Sequence, residues 1–422
     1  MSAKEHSRDQ SSNNGAAMRP QVGQGLAARI PALIEAWRAG RGTTASGELG
    51  KREIEAAGAA LLALQRGLTG DRRLAGAEYM DDGDLLGAYL LYYWPVSYMQ
   101  VSLALASPRL EAASFAPKRI LDLGSGPGPA SAAVLDASRA NGAAGPEELV
   151  LVDASRKALD LAASLLDRGL AGKSAASKPL RVSTAAIDLE EGRELPEGPF
   201  DLIVMGHCLN ELWRGEGDAV DRRSDLVRRA ADRLAPGGRI LLLEPALLLT
   251  CRELIALRDR LALGGWRVLA PCPGSYPCPV LASGPERSCH AQSPWTPPEP
   301  VASLAKAAGL DRASVKWTYF LLSPESAAKS EESARFAGRR RVVSDPMLNK
   351  AGRLRYVLCG DGSLTTMSAR ADDEAARASG FMSLRRGDII RADALEERPG
   401  GGKGFGPSST LELPSLSPEA SP

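Results

Sequence analysis

Two sets of residues in this chain have the types and spacing to do chemistry. Cys272, Cys278 and Cys289 fall in one segment, Cys-Pro-Gly-Ser-Tyr-Pro-Cys-Pro-Val-Leu-Ala-Ser-Gly-Pro-Glu-Arg-Ser-Cys. Its backbone is too rich in proline and glycine for a helix or a central strand. Thiols gathered on such backbone suit a metal centre. Far upstream, Asp122-Leu-Gly-Ser-Gly-Pro-Gly128 sets Gly124, Gly126 and Gly128 in a turn with Asp122 and Ser125. Glycines there let backbone approach a ligand closely, and the helix that follows offers unpaired N–H groups to a carboxylate or phosphate. Asp153, ending the next apolar run, is placed to accept ribose hydroxyls. Gly206-His-Cys-Leu-Asn-Glu-Leu212 adds His207 and Glu211 as candidate bases. The competing reading there is a histidine bonded to backbone beside Cys208 as a small buried hydrophobe.

Spacing leaves the metal open. Zinc usually takes cysteines two to four residues apart, and the gaps here are five and ten. Four thiolates around a [4Fe–4S] cluster tolerate looser spacing. Thiols without a metal are the third reading. The fourth ligand is open among Cys208, Cys251, Cys359 and His290. The glycine turn disfavours NAD, because the dinucleotide fingerprint needs a glycine where Pro129 stands. Chemistry past the later strand is narrowed by absence. No Asn-Pro-Pro-Tyr run marks exocyclic-amine methylation, and the Pro271-Cys272 and Pro277-Cys278 pairs come too late for a pyrimidine-C5 nucleophile.

The elements that must position these groups follow from periodicity. Residues 24–115 read as a helical domain, with Ile30, Leu33, Ile34 and Trp37 at helical spacing. Its aromatic stretch, Ala88 to Tyr98, reads as packing against the next domain or as a binding surface. Residues 116–325 alternate short apolar runs with helical ones, which predicts an α/β fold with a mostly parallel sheet. Residues 326–392 read as a small β-rich module, with a hairpin turned by Gly360-Asp361-Gly362. Residues 1–23 and 393–422 are polar or rich in Gly, Pro and Ser, and are expected to be disordered.

Composition bounds the rest. Six cysteines in 422 residues do not form a disulfide scaffold, so a reducing cytoplasm is expected. No run has the apolar length of a membrane span. Net charge is only +1, so basic surface must be local. It concentrates between Arg335 and Arg355, where Arg339, Arg340, Arg341, Lys350 and Arg353 make candidate phosphate contacts.

The Asp-x-Gly-x-Gly-x-Gly spacing resembles motif I of class I methyltransferases, and the same resemblance places Asp188 near an adenine. More specifically, Ala270-Pro-Cys-Pro-Gly-Ser-Tyr-Pro-Cys-Pro279 with Cys289-His290, Gly206 to Leu212, Leu243-Glu-Pro245 and Arg386-Gly-Asp388 resembles the Rsm-type family of mitochondrial small-ribosomal-subunit methyltransferase-like proteins and their bacterial relatives. That resemblance implies a Rossmann-like class I fold binding S-adenosylmethionine, and a [4Fe–4S] cluster on Cys272, Cys278, Cys289 and Cys359. It also implies a bacterial cytoplasmic protein, monomeric apart from the ribosome and bound to 16S-type rRNA of the small subunit. The expected role is in subunit assembly or translation, with RNA methylation or with binding alone. A small-molecule methyltransferase with structural zinc is the rival. A cluster of this kind would fix the C-terminal module to the cysteine loop and couple metal binding to folding.

Overall fold

The apolar runs become strands of a sheet covered on both faces. The computed structural model describes residues 20–70, 74, 78–107, 116–140, 145–168, 179–310, 312–324, 336–399 and 401–413. The disorder expected at residues 1–19 and 414–422 lies outside these. Helices α1 (Pro20–Ala39), α2 (Lys51–Gln65) and α3 (Trp94–Leu105) come first, with π-helical turns at Arg66–Gly70, directly after α2, and at Tyr89–Tyr93, running directly into α3. Then β1 (Arg119–Leu123), α4 (Pro129–Ala140), β2 (Glu148–Asp153), α5 (Arg156–Arg168), β3 (Arg181–Ala186) and β4 (Phe200–Gly206) alternate. Helix α6 (Ala219–Ala231), β5 (Leu234–Pro245), α7 (Leu248–Leu263), β6 (Arg267–Ala270), β7 (Ala291–Pro294) and β8 (Ser314–Ser323) complete this part.

The strand order is β3-β2-β1-β4-β5-β8-β6, with β7 pairing β8. Strands β1 to β5 are parallel, and β8 runs antiparallel between β5 and β6. Order reverses between β1 and β4, so the loops leaving the carboxyl ends of β1, β2 and β4 open onto one crevice. Alternation within each strand feeds two cores. Ile120, Leu149, Leu202 and Leu241 face one, while Leu121, Val150, Ile203 and Leu242 face the other. The first core also contains Leu33, Trp37, Leu61 and Trp94, so the N-terminal helices share a core with the sheet and do not build their own. A bidentate Arg29–Asp136 pair at 2.6 and 2.8 Å, joined by the Tyr98 hydroxyl, ties α1 and α3 to α4.

The C-terminal module is a second sheet with its own core around Tyr356, Leu358, Met367 and Phe381. Its strands are β9 (Arg340–Val342), β10 (Met347–Leu348), β11 (Arg353–Gly360), β12 (Ser363–Arg370), β13 (Ile389–Asp393), β14 (Glu396–Glu397), β15 (Lys403–Gly404) and β16 (Thr410–Glu412). The last three correct the expected tail: order continues past residue 393, because β16 pairs β13 and β15 pairs β12. Leu364 of β12 packs against the second core of the large sheet, and Gly362 lies against Tyr276 of the cysteine loop.

Candidate functional site

The crevice at the switch point holds a cavity of 480 Å³. One wall is the turn after β1. Gly124 has a φ of +69°, and a Cβ there would stand 2.3 Å from the Cβ of Cys208, so both conformation and space require glycine. The turn is held from below, where the indole of Trp94 donates to the Pro127 carbonyl at 2.9 Å. Part of the aromatic stretch therefore packs under the ligand loop, while Tyr89 and Tyr93 line the cavity with Tyr79.

Asp153 at the end of β2 accepts from the Gly126 N–H at 2.8 Å and from the Ser155 N–H at 2.9 Å. Asp188 caps the short 3-10 turn Leu189–Glu191 by accepting from the Glu190 N–H, and lines the same cavity. Ser125 is buried in the turn. Asp122 lies beneath it. Its Oδ2 accepts from the Ser131 hydroxyl at 2.5 Å, while Oδ1 is buried with no partner among the described residues. Burial is the main cause that pushes this carboxyl up to about 7.

The opposite wall follows β4. His207 takes a left-handed backbone at φ +64°, and its Nε2 lies 2.8 Å from Gln100 Oε1. Gln100 donates its amide N–H to the Lys316 carbonyl at 2.9 Å, so its oxygen faces the imidazole and His207 carries the proton on Nε2. Nδ1 is then the basic nitrogen. Burial lowers this histidine to about 4, which keeps it neutral at pH 7. Asn210 donates from its backbone and side chain to Glu244 at 3.0 and 2.6 Å. Glu211 lines the cavity beside them. The pairing of Gln100 with His207 and the stance of Tyr79 and Met80 over the loop were not legible in sequence. They join segments whose proximity only the fold creates.

The cysteines gather at a second place. Cys272, Cys278 and Cys289 sit between β6 and β7, a segment that does hold one short helical turn at Pro279–Ala282 directly after Cys278, and Cys359 is the penultimate residue of β11. Burial first, then Cys272 and Cys289, raise both Cys278 and Cys359, and Cys278 is also raised by Cys359. Burial is the leading cause that pushes Cys359 up to about 12. Cys251 lies near Cys289, and burial also pushes it to about 12. Cys208 lies apart in the first cavity, its thiol donating to the Leu123 carbonyl at 3.2 Å. His290 is lowered to about 4, by burial first and then by Arg386, Lys316 and Arg341. No group of three or more His, Cys, Asp or Glu among the described residues is placed to hold a single metal ion.

Two buried arginines frame the thiols. Arg258 of α7 donates to the Gly274 carbonyl at 2.8 Å and to the Tyr276 carbonyl, clamping the loop. Arg341 of β9 is 4% exposed and donates to Cys289 Sγ at 3.6 Å. Burial acts to lower its pKa, while Cys289, Tyr319, Cys272 and Cys359 act to raise it, and the net shift is upward. This corrects the assignment of Arg341 to an RNA surface. Arg339 pairs with Glu412, and Arg340 spans Thr365, the Gly360 carbonyl and Asp361. Lys350 is exposed and Arg353 half-buried. A signal for Arg341 was present: consecutive arginines entering a strand cannot all face water.

A sheet ordered β3-β2-β1-β4-β5-β8-β6 with one reversed strand, a glycine turn after β1 and an acid ending β2 defines a class I methyltransferase fold. The family is narrower. The chain belongs to the Rsm22 family, described as mitochondrial small ribosomal subunit Rsm22, whose model matches residues 85–368 and so covers the glycine turn, Asp153, His207 to Glu211 and Cys272, Cys278, Cys289 and Cys359. No curated protein matches the chain. Solved structures similar in part include a SAM-dependent methyltransferase from Leishmania major, 15% identical over 69% of this chain and 91% of that one, with a TM-score of 0.33. Another is a putative RNA methyltransferase from Pyrococcus horikoshii, 14% identical over 54% and 83%, with a TM-score of 0.30. A third is a ribosomal protein L11 methylase from Lactobacillus delbrueckii subsp. bulgaricus, 12% identical over 54% and 77%, with a TM-score of 0.28.

Proposed function

We propose that the protein binds S-adenosylmethionine in the crevice, carries a [4Fe–4S] cluster on Cys272, Cys278, Cys289 and Cys359, and works on the small ribosomal subunit through its rRNA. The observation that carries the reading is the 480 Å³ cavity with Gly124, Gly126, Asp153 and Asp188 on one wall and His207, Asn210 and Glu211 on the other. A nucleoside fits the first wall, with Asp153 toward the ribose and Asp188 toward the base. The unpartnered Oδ1 of Asp122 suits a cationic group or water held under the loop.

When bound, the donor supplies an electrophilic methyl group on a sulfonium. The chain's own contribution is alignment, exclusion of water by Tyr79, Tyr89 and Tyr93, and a neutral imidazole. His207 Nδ1 accepts a hydrogen bond from an acceptor group and takes its proton only as methyl transfer proceeds. Glu211 is the second candidate for that proton.

The thiol site supports the cluster reading by charge. A buried guanidinium needs an anionic counterpart, and the strongest partners of Arg341 are three of the four thiols and a phenol. The family's description with the small ribosomal subunit supports the choice of partner.

Two measurements on anaerobically purified protein test the reading. Labelled donor with small-subunit RNA should give RNA methylation that Gly126→Arg and Asp153→Ala reduce at least 100-fold. Iron and sulfide should be present in the wild type and lost in Cys359→Ser. If the two crevice variants bind no donor yet still mature the subunit, the protein is an assembly factor without catalysis. Colourless protein with stoichiometric zinc would replace the cluster.

A further inference from the structure

The β11–β12 hairpin has two faces, and its outer face changes character along its length. Inward go Tyr356, Leu358, Met367 and Ala369, into the module's core. The other parity carries Arg353, Arg355 and Cys359 opposite Arg370, Ser368 and Leu364. At the turn end, Cys359 and Leu364 meet the cysteine loop and the large domain. At the far end the same face is open. It forms a groove of 530 Å³ lined by Arg353, Arg355, Thr366, Ser368, Asn349 and Arg398.

Most cations of the module are ion-paired, among them Arg398 at the groove, which pairs with Glu396 at 3.1 Å. Arg339, Arg386, Arg391 and Lys403 each have a carboxylate, in Glu412, Asp345, Asp393 and Glu397. Lys350, Arg353 and Arg355 have no carboxylate within ion-pair distance among the described residues. The Arg355 guanidinium donates to the sulfur of Met347 at 4.0 Å. Arg353 stands directly across the ladder from Arg370. Arg370 is already held by a bidentate pair with Asp372, which leaves Arg353 as the member of this cross-strand pair without a carboxylate among the described residues.

We propose that this open half of the hairpin binds the phosphodiester backbone of RNA, with Lys350, Arg353 and Arg355 as the cations that meet phosphates. Alternate residues of a strand repeat at about 6.8 Å, a step that suits successive phosphates of an extended polynucleotide. Leu348, 66% exposed, and Met347 give the groove an apolar lip against which sugars and bases lie. Ser368, Thr366 and Asn349 add hydroxyl and amide groups for phosphate and ribose oxygens. The choice of RNA rests on the ribosomal reading above; the presence of an anion site does not.

The test is fluorescence anisotropy of the full-length, anaerobically purified protein with a labelled single-stranded oligoribonucleotide from small-subunit rRNA, over a series of salt concentrations. The triple variant Lys350→Ala, Arg353→Ala, Arg355→Ala should bind at least tenfold more weakly. Its slope of log K against log salt should fall by about 2, roughly 0.7 per cation removed. Arg391→Ala, on another strand and paired with Asp393, should change neither. Unchanged affinity and slope in the triple variant would overturn the proposal. So would equal binding of polyglutamate or of anionic vesicles at the same salt. If the triple variant binds the oligonucleotide normally but wild-type protein still co-sediments with small subunits, the ribosomal reading survives and the groove does not.

Discussion

Asp122 shows how one buried group can be read from both directions. The motif marked it as part of a ligand turn, and the fold places it beneath that turn with one oxygen unpartnered. Its carboxyl is raised to about 7 from an unfolded value near 4, so the folded state binds the extra proton between those limits. The stabilisation is complete below pH 4 and is lost as pH rises through 7. His207 acts in the other direction, since it is lowered to about 4 and costs stability only as pH falls below about 6.5. Between pH 6.5 and 8 the histidine contributes little, and Asp122 acts with Asp153 and Asp388, which burial shifts the same way. Urea unfolding of donor-free protein should show stability falling over that window by roughly 0.8 kcal/mol from Asp122, because the slope of about 1.4 kcal/mol per pH unit fades once the folded carboxyl has titrated. Asp122→Asn should flatten most of the fall. A variant that keeps the full slope would show that another group carries it. Sequence gave the identity of Asp122 but not of Ser131 or Gln100 as partners, because such pairs depend on which helix covers which strand.

At the scale of elements, the hairpin turn decides where a thiol points. Asp361 and Gly362 have φ of +50° and +71°, the two positive values that a tight primed turn requires. Gly360 then pairs with Ser363 and Cys359 with Leu364. A slip of one residue would exchange the faces and carry Cys359 into the module's core. Gly362→Val penalises the left-handed backbone by about 1–3 kcal/mol. The expected result is at least a twofold loss of bound iron with donor affinity unchanged, read by iron analysis and calorimetry on one preparation. Unaltered iron content would mean that the register holds without the glycine. This turn and the strands β11 and β12 were legible because the signals are local. Strands β14 to β16 were not, since each is two or three residues long and is made a strand only by partners elsewhere in the chain. The same holds for the N-terminal helices. Their periodicity was plain, but nothing local says that they share the sheet's core.

At the scale of the whole molecule, the cysteine site is the seam between the large domain and the C-terminal module. Three thiols belong to one side, and Cys359 and Arg341 reach in from the other. With an anionic cluster present, Arg341 is a buried cation with a counter-charge. Without it, the same guanidinium is buried against neutral thiols, which burial already holds protonated. An unmatched buried charge costs about 3–5 kcal/mol, comparable to what a small docked interface contributes. Removal of iron should therefore loosen the module while leaving the sheet around the crevice intact. Hydrogen exchange before and after anaerobic chelation should show lost protection in β9 and β11 and constant protection in β1, β4 and β5. Arg341→Met, nearly isosteric and uncharged, should reduce the loss in chelated protein while lowering iron retention in the untreated one. Opposite effects of a single substitution on the two states separate a counter-ion from a residue that only fills space. Equal protection in β9 before and after chelation would detach the seam from the cluster.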